Sequence, residues 1–377
     1  MRRWAATLMV AAAALSAGCF GGGEEGNARD TFLTVYVSVP LHGERAAAGR
    51  GVADGARLAL QRSRCCSAGA VRAIYLDDTE GGRWSLARSA ANARRAAEDT
   101  SAIGYIGDLD SGATRASLPI TNEAGMVQIS PGSTAIDLTR LPPVGSADPD
   151  RYRPSGDQTF ARVVPDDDVE ARAAALWAKR MGAKQVAALS DGSDFGRGTA
   201  IEFRQAAARL GLSAGRPSGA ELVYYGGAAG RLAAALHGAG PVPVIGTDAL
   251  LGPALPRPAA GVSRLYVTSP FLAPSLLPAA GQGFLGAYRE RFRRAPDPAA
   301  AYGYEAMSLL LDAIRRAGEH GDDRGAVIDE VLSARQRHSL LGPYSIDGNG
   351  DTTLSTVSGY RVSDGLPVFP VKLKAPR

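Results

Sequence analysis

Short apolar runs and helix-like stretches alternate along most of this chain, and that alternation narrows the fold more than any other feature. TFLTVYVSV (Thr31 to Val39) is a β-rich run, Gly49 to Ser63 reads as a helix, VRAIYLDD (Val71 to Asp78) as a strand, and Trp84 to Glu98 as an Ala/Arg-rich helix. IGYIG follows, then a helix over Ser111 to Glu123 and the strand MVQIS. After Arg162 the rhythm resumes: a helix over Val169 to Met181, QVAALS, a helix over Gly196 to Leu210, ELVYYG, a helix over Arg231 to His237, VPVIG and RLYVTS. Strands and helices spaced this way build parallel sheets with helices on both faces. Between the two series, LPPVGSADPDRYRPSGD is dense in Pro, Gly and Asp and reads as a crossover. The 377 residues exceed what one core usually supports, so an α/β fold of two lobes is expected.

The first residues say where the protein works. A positive start (Met-Arg-Arg-Trp), an apolar run from Ala5 to Ala14 and the small residues of LSAGC have the layout of a secretory signal, and the apolar run is too short to span a bilayer. Phe20 to Asp30, FGGGEEGNARD, has the composition of a flexible tether. At 45% hydrophobic and 21% charged the remainder is that of an ordinary globular protein. The net charge of +4 forms no basic stripe interleaved with aromatics, so nucleic acid is not an expected partner.

Cys65 and Cys66 are adjacent and can pair only in a strained ring; whether they do is left open. His42, His237, His320 and His338 are scattered, and no Cys or His spacing suits zinc, so neither a metal nor a cofactor is expected. Gly281 to Gly286 (GQGFLG) satisfies GxGxxG. Pro270, Pro274 and Pro278, however, occupy the stretch where a dinucleotide fingerprint needs a strand, and the run reads as the start of a helix. No GxSxG, GxxxxGK[ST] or HExxH is present, and the protein is not expected to be an enzyme. Asp77-Asp78 and Asp166-Asp167-Asp168 adjoin element ends and read as solvated caps.

Binding chemistry concentrates in YIGDLDSGATRASLPITNEAGMVQISPGST, residues 105 to 134, where two strands each run into small hydroxyl residues. Ligands of open parallel sheets lie outside the carboxyl ends of strands. Ser111 opens a helix whose first N–H groups attract anions, and Ser130-Pro131-Gly132-Ser133-Thr134 is a second hydroxyl-rich loop, so the two make a seat for a carboxylate. On these residues alone a plain N-cap and a plain turn fit equally.

Eight segments in order decide between these readings: GARLAL (55–60), YLDD, ISPGST, SDGSDFGRGTAIEFRQA (190–206), LVYYGG (222–227), IGTDAL (245–250), AYGYEAMSLLLDAI (301–314) and LGPYSIDGNGD (341–351). In them the chain, from about Thr31 to Arg361, resembles the periplasmic type I solute-binding proteins, specifically the branched-chain amino acid (Leu/Ile/Val) binding family of ABC transporters. LSAGC likewise resembles a bacterial lipobox, which implies lipidation of Cys19 and anchoring to a membrane at the periplasmic or outer cell surface.

The resemblance implies two lobes joined by three crossovers, closing on an amino acid. Ser111 falls at the family's carboxylate-binding serine, and Gly132, Ser133 and Thr134 at its second loop, where a backbone carbonyl also takes the ammonium. Asp248 falls where a glutamate commonly meets the ammonium, and Phe195 at an aromatic wall. Ala48 and Ala228 stand where the family carries further aromatic walls, which implies a pocket for a bulkier ligand.

The expected organisation is a signal peptide (1–18), a tether (19–30), lobe one (31–159 and 270–336) and lobe two (160–269 and 337–377). The expected partners are a small-molecule ligand, permease and ATPase subunits, and the membrane through the N-terminal lipid, with the protein itself a monomer. A ligand-sensing lipoprotein of a signalling system uses the same fold and is the alternative. Such receptors normally carry an output domain or a transmembrane helix, and neither is read before the final VKLKAPR.

Overall fold

The two series of strands form two separate sheets in the computed structural model, which describes residues 32–63, 71–251 and 262–376. The first half runs β1 (Leu33–Val39), α1 (Ala46–Arg62), β2 (Val71–Asp77), a small hairpin of β3 (Thr79–Glu80) and β4 (Arg83–Trp84), α2 (Leu86–Glu98), β5 (Ala102–Ile106), α3 (Ser111–Glu123), β6 (Gln128–Ser130) and β7 (Phe160–Arg162). Its sheet has the order β2-β1-β5-β6-β7, all parallel. Next come α4 (Asp167–Arg180), β8 (Gln185–Ser190), α5 (Asp194–Arg209), β9 (Ser213–Ala214), β10 (Leu222–Gly226), α6 (Ala229–Ala235), β11 (Val242–Gly246) and β12 (Val262–Ser269). Helices α7 (Ala279–Phe292), α8 (Ala299–Ala317) and α9 (Arg324–Leu332) then precede β13 (Thr356–Ser363) and β14 (Leu366–Lys374). The second sheet has the order β14-β13-β12-β11-β10-β8-β9, with only β13 and β14 antiparallel to their neighbours.

The continuous apolar character of the strands follows from burial on both faces. Val35, Val37 and Val39 of β1 enter a core shared with α1, α7, α8 and α9, while Tyr36 points into a second core with Ala93 and Ala96 of α2. Glycine sets how closely α1 and α8 meet. A Cβ on Gly55 would stand 2.0 Å from the Ala300 carbonyl oxygen, and one on Gly303 would stand 2.2 Å from that of Val52. The second sheet is likewise cored on both faces, with Phe203 and Tyr224 stacked at 4.3 Å on one and Val223 and Tyr225 on the other.

The chain changes sheet three times: after Arg162, after Ser269, and between Leu354 and Thr356. Phe160–Arg162 is an edge strand of the first sheet, and Tyr344, Ile346 and Leu354 pack in its core, beyond the junctions drawn from sequence at Phe160 and Arg337. GQGFLG lies inside α7. Among the described residues no helix is long and apolar enough to cross a membrane. Cys19, Cys65 and Cys66 lie outside the described residues, as do the lipobox and any pairing of the two adjacent thiols.

Candidate ligand-binding site

The two hydroxyl clusters do come together, but their members divide into framework and wall. Ser130, at the end of β6, accepts on Oγ from the N–H groups of Gly132 (3.2 Å) and Ser133 (2.8 Å) and donates to the Asp108 carbonyl (2.8 Å). Ser133 Oγ donates to the same carbonyl at 3.1 Å and lies 2.7 Å from Thr114 Oγ1, fully buried. A Cβ on Gly132 would strike the Leu109 side chain at 2.5 Å, so this position holds the loop tightly against the strand ends. Gly132 and Ser133 are framework. Among the carbonyls of this loop, that of Ser133 accepts from the guanidinium of Arg162 at 3.2 Å.

Thr134 and Ser111 are wall residues. They line a cleft of about 720 Å³ whose apolar surface includes Leu86, Ile136, Pro142, Pro143, Val144 and Phe195. That volume lies within the range of small-molecule sites. Ser111 is the first residue of α3, and Asp110 before it makes no side-chain cap. Ser111 Oγ accepts from Ala135 N–H at 3.2 Å, which leaves its own proton to donate to a ligand acceptor.

Helices flanking the second sheet close the other side. Asp166 caps α4, accepting from Val169 N–H at 2.9 Å, and Arg140 pairs with both Asp166 and Asp168, the latter at 2.8 Å. Asp167 lies between them on the cleft wall, 6% exposed, with Oδ1 unpartnered. Burial first, and then the nearby Asp248, push its carboxyl up to about 7, against the lowering effects of the Thr134 hydroxyl and Arg162. The sequence reading of PDDD as solvated caps therefore holds for capping at Asp166 but not for solvation, because Arg140 and the cleft wall enclose all three. Asp78 departs similarly: it is fully buried, and burial followed by Asp108 and Asp110 raises its carboxyl to about 8.

Asp248 is not on this stretch of wall but is tied to it. Its N–H donates to Glu170 Oε1 at 3.0 Å, and that oxygen also accepts from Thr268 Oγ1 at 2.6 Å. Burial raises both carboxyls; Asp248 adds to the rise at Asp167 and at Glu170, Asp167 adds further at Glu170, and Asp110 adds to the rise at Asp248. Arg45 opposes at Asp248 and lies 3.6 Å from Asp110.

Of the residues named from sequence, Ser111, Thr134 and Phe195 meet in the cleft. Ala48 packs in α1 against the first core, and Ala228 is the N-cap of α6, its N–H donating to Asp191 at 2.9 Å; neither lines the cleft. Sequence reasoning missed Asp167 and Glu170, and also Trp84, whose ring a Cβ on Gly112 would meet at 2.3 Å at the start of α3. Trp84 was placed in a helix, but Ser85 caps α2 and leaves Trp84 in the hairpin.

A sequence profile described as periplasmic binding protein matches residues 33–218 and 214–365. The chain belongs to the periplasmic binding protein family. An amino acid binding protein of Pseudomonas aeruginosa is 26% identical over 309 residues, 74% of this chain and 76% of that one. Among solved structures, a leucine binding protein of Thermotoga maritima superposes with a TM-score of 0.68 at 23% identity, over 91% of this chain and 99% of that one. The branched-chain amino acid transporter substrate binding protein of Streptococcus pneumoniae, in complex with isoleucine, gives 0.67 at 19% identity, with the same coverage. This periplasmic binding protein thus has the two-lobed α/β fold that its strand and helix pattern implied.

Proposed function

We propose that this protein is an extracytoplasmic solute-binding lipoprotein that captures an amino acid between two lobes and passes it to the permease of an ABC importer. The observation that carries the reading is the opposition, within one cleft, of a hydroxyl donor at a helix start (Ser111) and an unpartnered carboxylate oxygen (Asp167). A zwitterion presents an acceptor and a cationic donor to such a pair: the carboxylate goes to Ser111 and the first turn of α3, the ammonium to Asp167 and Thr134. The matched relatives, an amino acid binding protein and a transporter subunit holding isoleucine, support the same class of ligand. We place the lobe boundaries at the three sheet crossings, and the anchor at Cys19. Calorimetric titration with a panel of amino acids tests the reading. Thr134→Val should weaken the bound amino acid about five- to 150-fold, from the 1 to 3 kcal/mol of a lost buried partner. Binding of no amino acid, or binding unaffected by Thr134→Val, would overturn it.

A further inference from the structure

The Pro- and Gly-rich stretch read from sequence as a crossover leaves the first sheet after β6 and returns to it in β7, so it joins neighbouring strands of one sheet. Its returning limb is fastened to that lobe. Asp148 caps the short turn Pro149–Tyr152, and Tyr152 is buried with Leu118, Ala135 and Leu138 and donates to Asp137 at 2.9 Å. The N–H and the hydroxyl of Ser155 both donate to Asn122. The outgoing limb is held through Arg140, which pairs with Asp166 and Asp168 at the start of α4.

Between these limbs, residues 141–147 make no hydrogen bond among the described residues. They rest instead against the N-terminal end of α5, a helix packed on the second sheet. A Cβ on Gly145 would stand 2.9 Å from the Asp194 carboxylate, and one on Gly198 would lie 3.8 Å from Pro143 Cγ. Gly145 also takes a φ of +91°, where a side chain is strained. Pro142, Pro143, Val144 and Ala147 line the cleft together with Phe195 of α5. A segment tied at both ends and lacking hydrogen bonds of its own can lift from its seat at small cost. Its cleft-lining residues have no polar side chain, so what it gains from a ligand is apolar contact, which grows with the length of the ligand's side chain.

We propose that residues 141–147 form a strap, belonging to the first lobe and seated on α5 of the second, that covers the side chain of the bound amino acid and sets which side chains the cleft holds. This rests on the amino acid reading above and adds to it the element that selects long apolar side chains.

Alanine shares its zwitterion with leucine and phenylalanine and differs in how far its side chain reaches, so the affinity ratio isolates the strap. Calorimetry of the full chain should show leucine or phenylalanine binding at least about tenfold more tightly than alanine. Pro142→Gly combined with Pro143→Gly removes the ring carbons, whereas Gly145→Val keeps them but cannot seat beside Asp194. Each variant should lower the ratio several-fold, with alanine affinity changed by less than about twofold. Both should keep the wild-type urea midpoint, because no hydrogen bond is lost. A ratio unchanged in both variants, or alanine weakened as much as the longer ligands, would overturn the proposal and leave the amino acid reading intact. Tighter binding of an amino acid with a charged side chain than of leucine and phenylalanine would do the same. Binding of no amino acid would overturn both.

Discussion

Glu170 Oε1 accepts two hydrogen bonds, from the main-chain N–H of Asp248 at 3.0 Å and from Thr268 Oγ1 at 2.6 Å, and so one buried oxygen ties α4 to the loop after β11 and to β12. Removing that oxygen orphans the Asp248 N–H, at about 1–3 kcal/mol, while the Thr268 hydroxyl is left with the Gly246 carbonyl at 3.2 Å. Glu170→Ala should therefore lower the unfolding free energy measured in urea, while Glu170→Gln, which keeps an acceptor in place, should lower it much less. Equal losses for the two variants would show that the oxygen is not what fastens the loop.

Asp78 links burial to pH. Its two carboxylate oxygens are buried without partners, and its carboxyl is raised from an ordinary 3.8 to about 8. The folded protein thus holds this proton more tightly than the unfolded chain. Well below the ordinary value both states are protonated and nothing is lost. As pH rises the unfolded chain ionises first, so stability falls until the folded group also ionises near about pH 8. Asp108 and Asp167, each raised to about 7 by burial, act in the same direction. Carboxyls held low, such as Asp137 and Asp166, remain ionised throughout this window and contribute no opposing slope. Urea midpoints should decline between about pH 5 and about pH 8, and Asp78→Asn should flatten the decline and raise stability at the upper end. A midpoint that rises with pH would contradict the burial of these groups as unpaired acids.

Most of the parallel architecture was legible because periodicity and turn chemistry agree locally: the helix Ser111–Glu123 and the strands QVAALS and VPVIG fall on their expected residues. The antiparallel β13 and β14 were not read. LPVFPVKLK has prolines at 367 and 370 and exposed Leu366 and Phe369, features that argue against a strand except at a sheet edge, and β14 is an edge. At the site, hydroxyl clusters at strand ends pointed to Ser111 and Thr134. Which hydroxyls face the cleft was set by Arg162, Asp351 and Thr114, residues distant in sequence from the loop they fix. Asp167 was concealed among three consecutive aspartates whose neighbours, not the residue itself, meet Arg140.

The anchoring proposal has a direct test. If Cys19 is lipidated, Cys19→Ala should move the protein from the detergent-extracted membrane fraction to the soluble exported fraction. A single acyl chain binds membranes only marginally, so a variant with partial lipid should wash off gradually, whereas an unlipidated one is lost at once. Membrane association unchanged by the substitution would remove the lipid from the account.

Arg162 joins the binding loop to two of the sheet crossings. It is fully buried at the end of β7, where the first crossing begins. Its guanidinium meets Asp351 at 2.6 Å, the Thr139 hydroxyl and the Ala135 carbonyl at 2.8 Å, and the Ser133 carbonyl at 3.2 Å. Ser133 and Ala135 flank Thr134, so the same side chain that neutralises Asp351 fixes both peptide groups around the cleft-facing hydroxyl. Arg162→Met leaves the Asp351 charge and two carbonyls buried without this partner, a change that costs about 3–5 kcal/mol where a buried pair is broken. Arg162→Lys keeps the charge, but a compact ammonium cannot span the fork of acceptors that the planar guanidinium reaches. The lysine variant should therefore retain more stability in urea than the methionine variant, yet bind the amino acid ligand more weakly than wild type under conditions where both are fully folded. Unaltered affinity in Arg162→Lys would mean that Thr134 is positioned by the loop's own hydrogen bonds through Ser130, and that the connection from crossing to cleft is structural only.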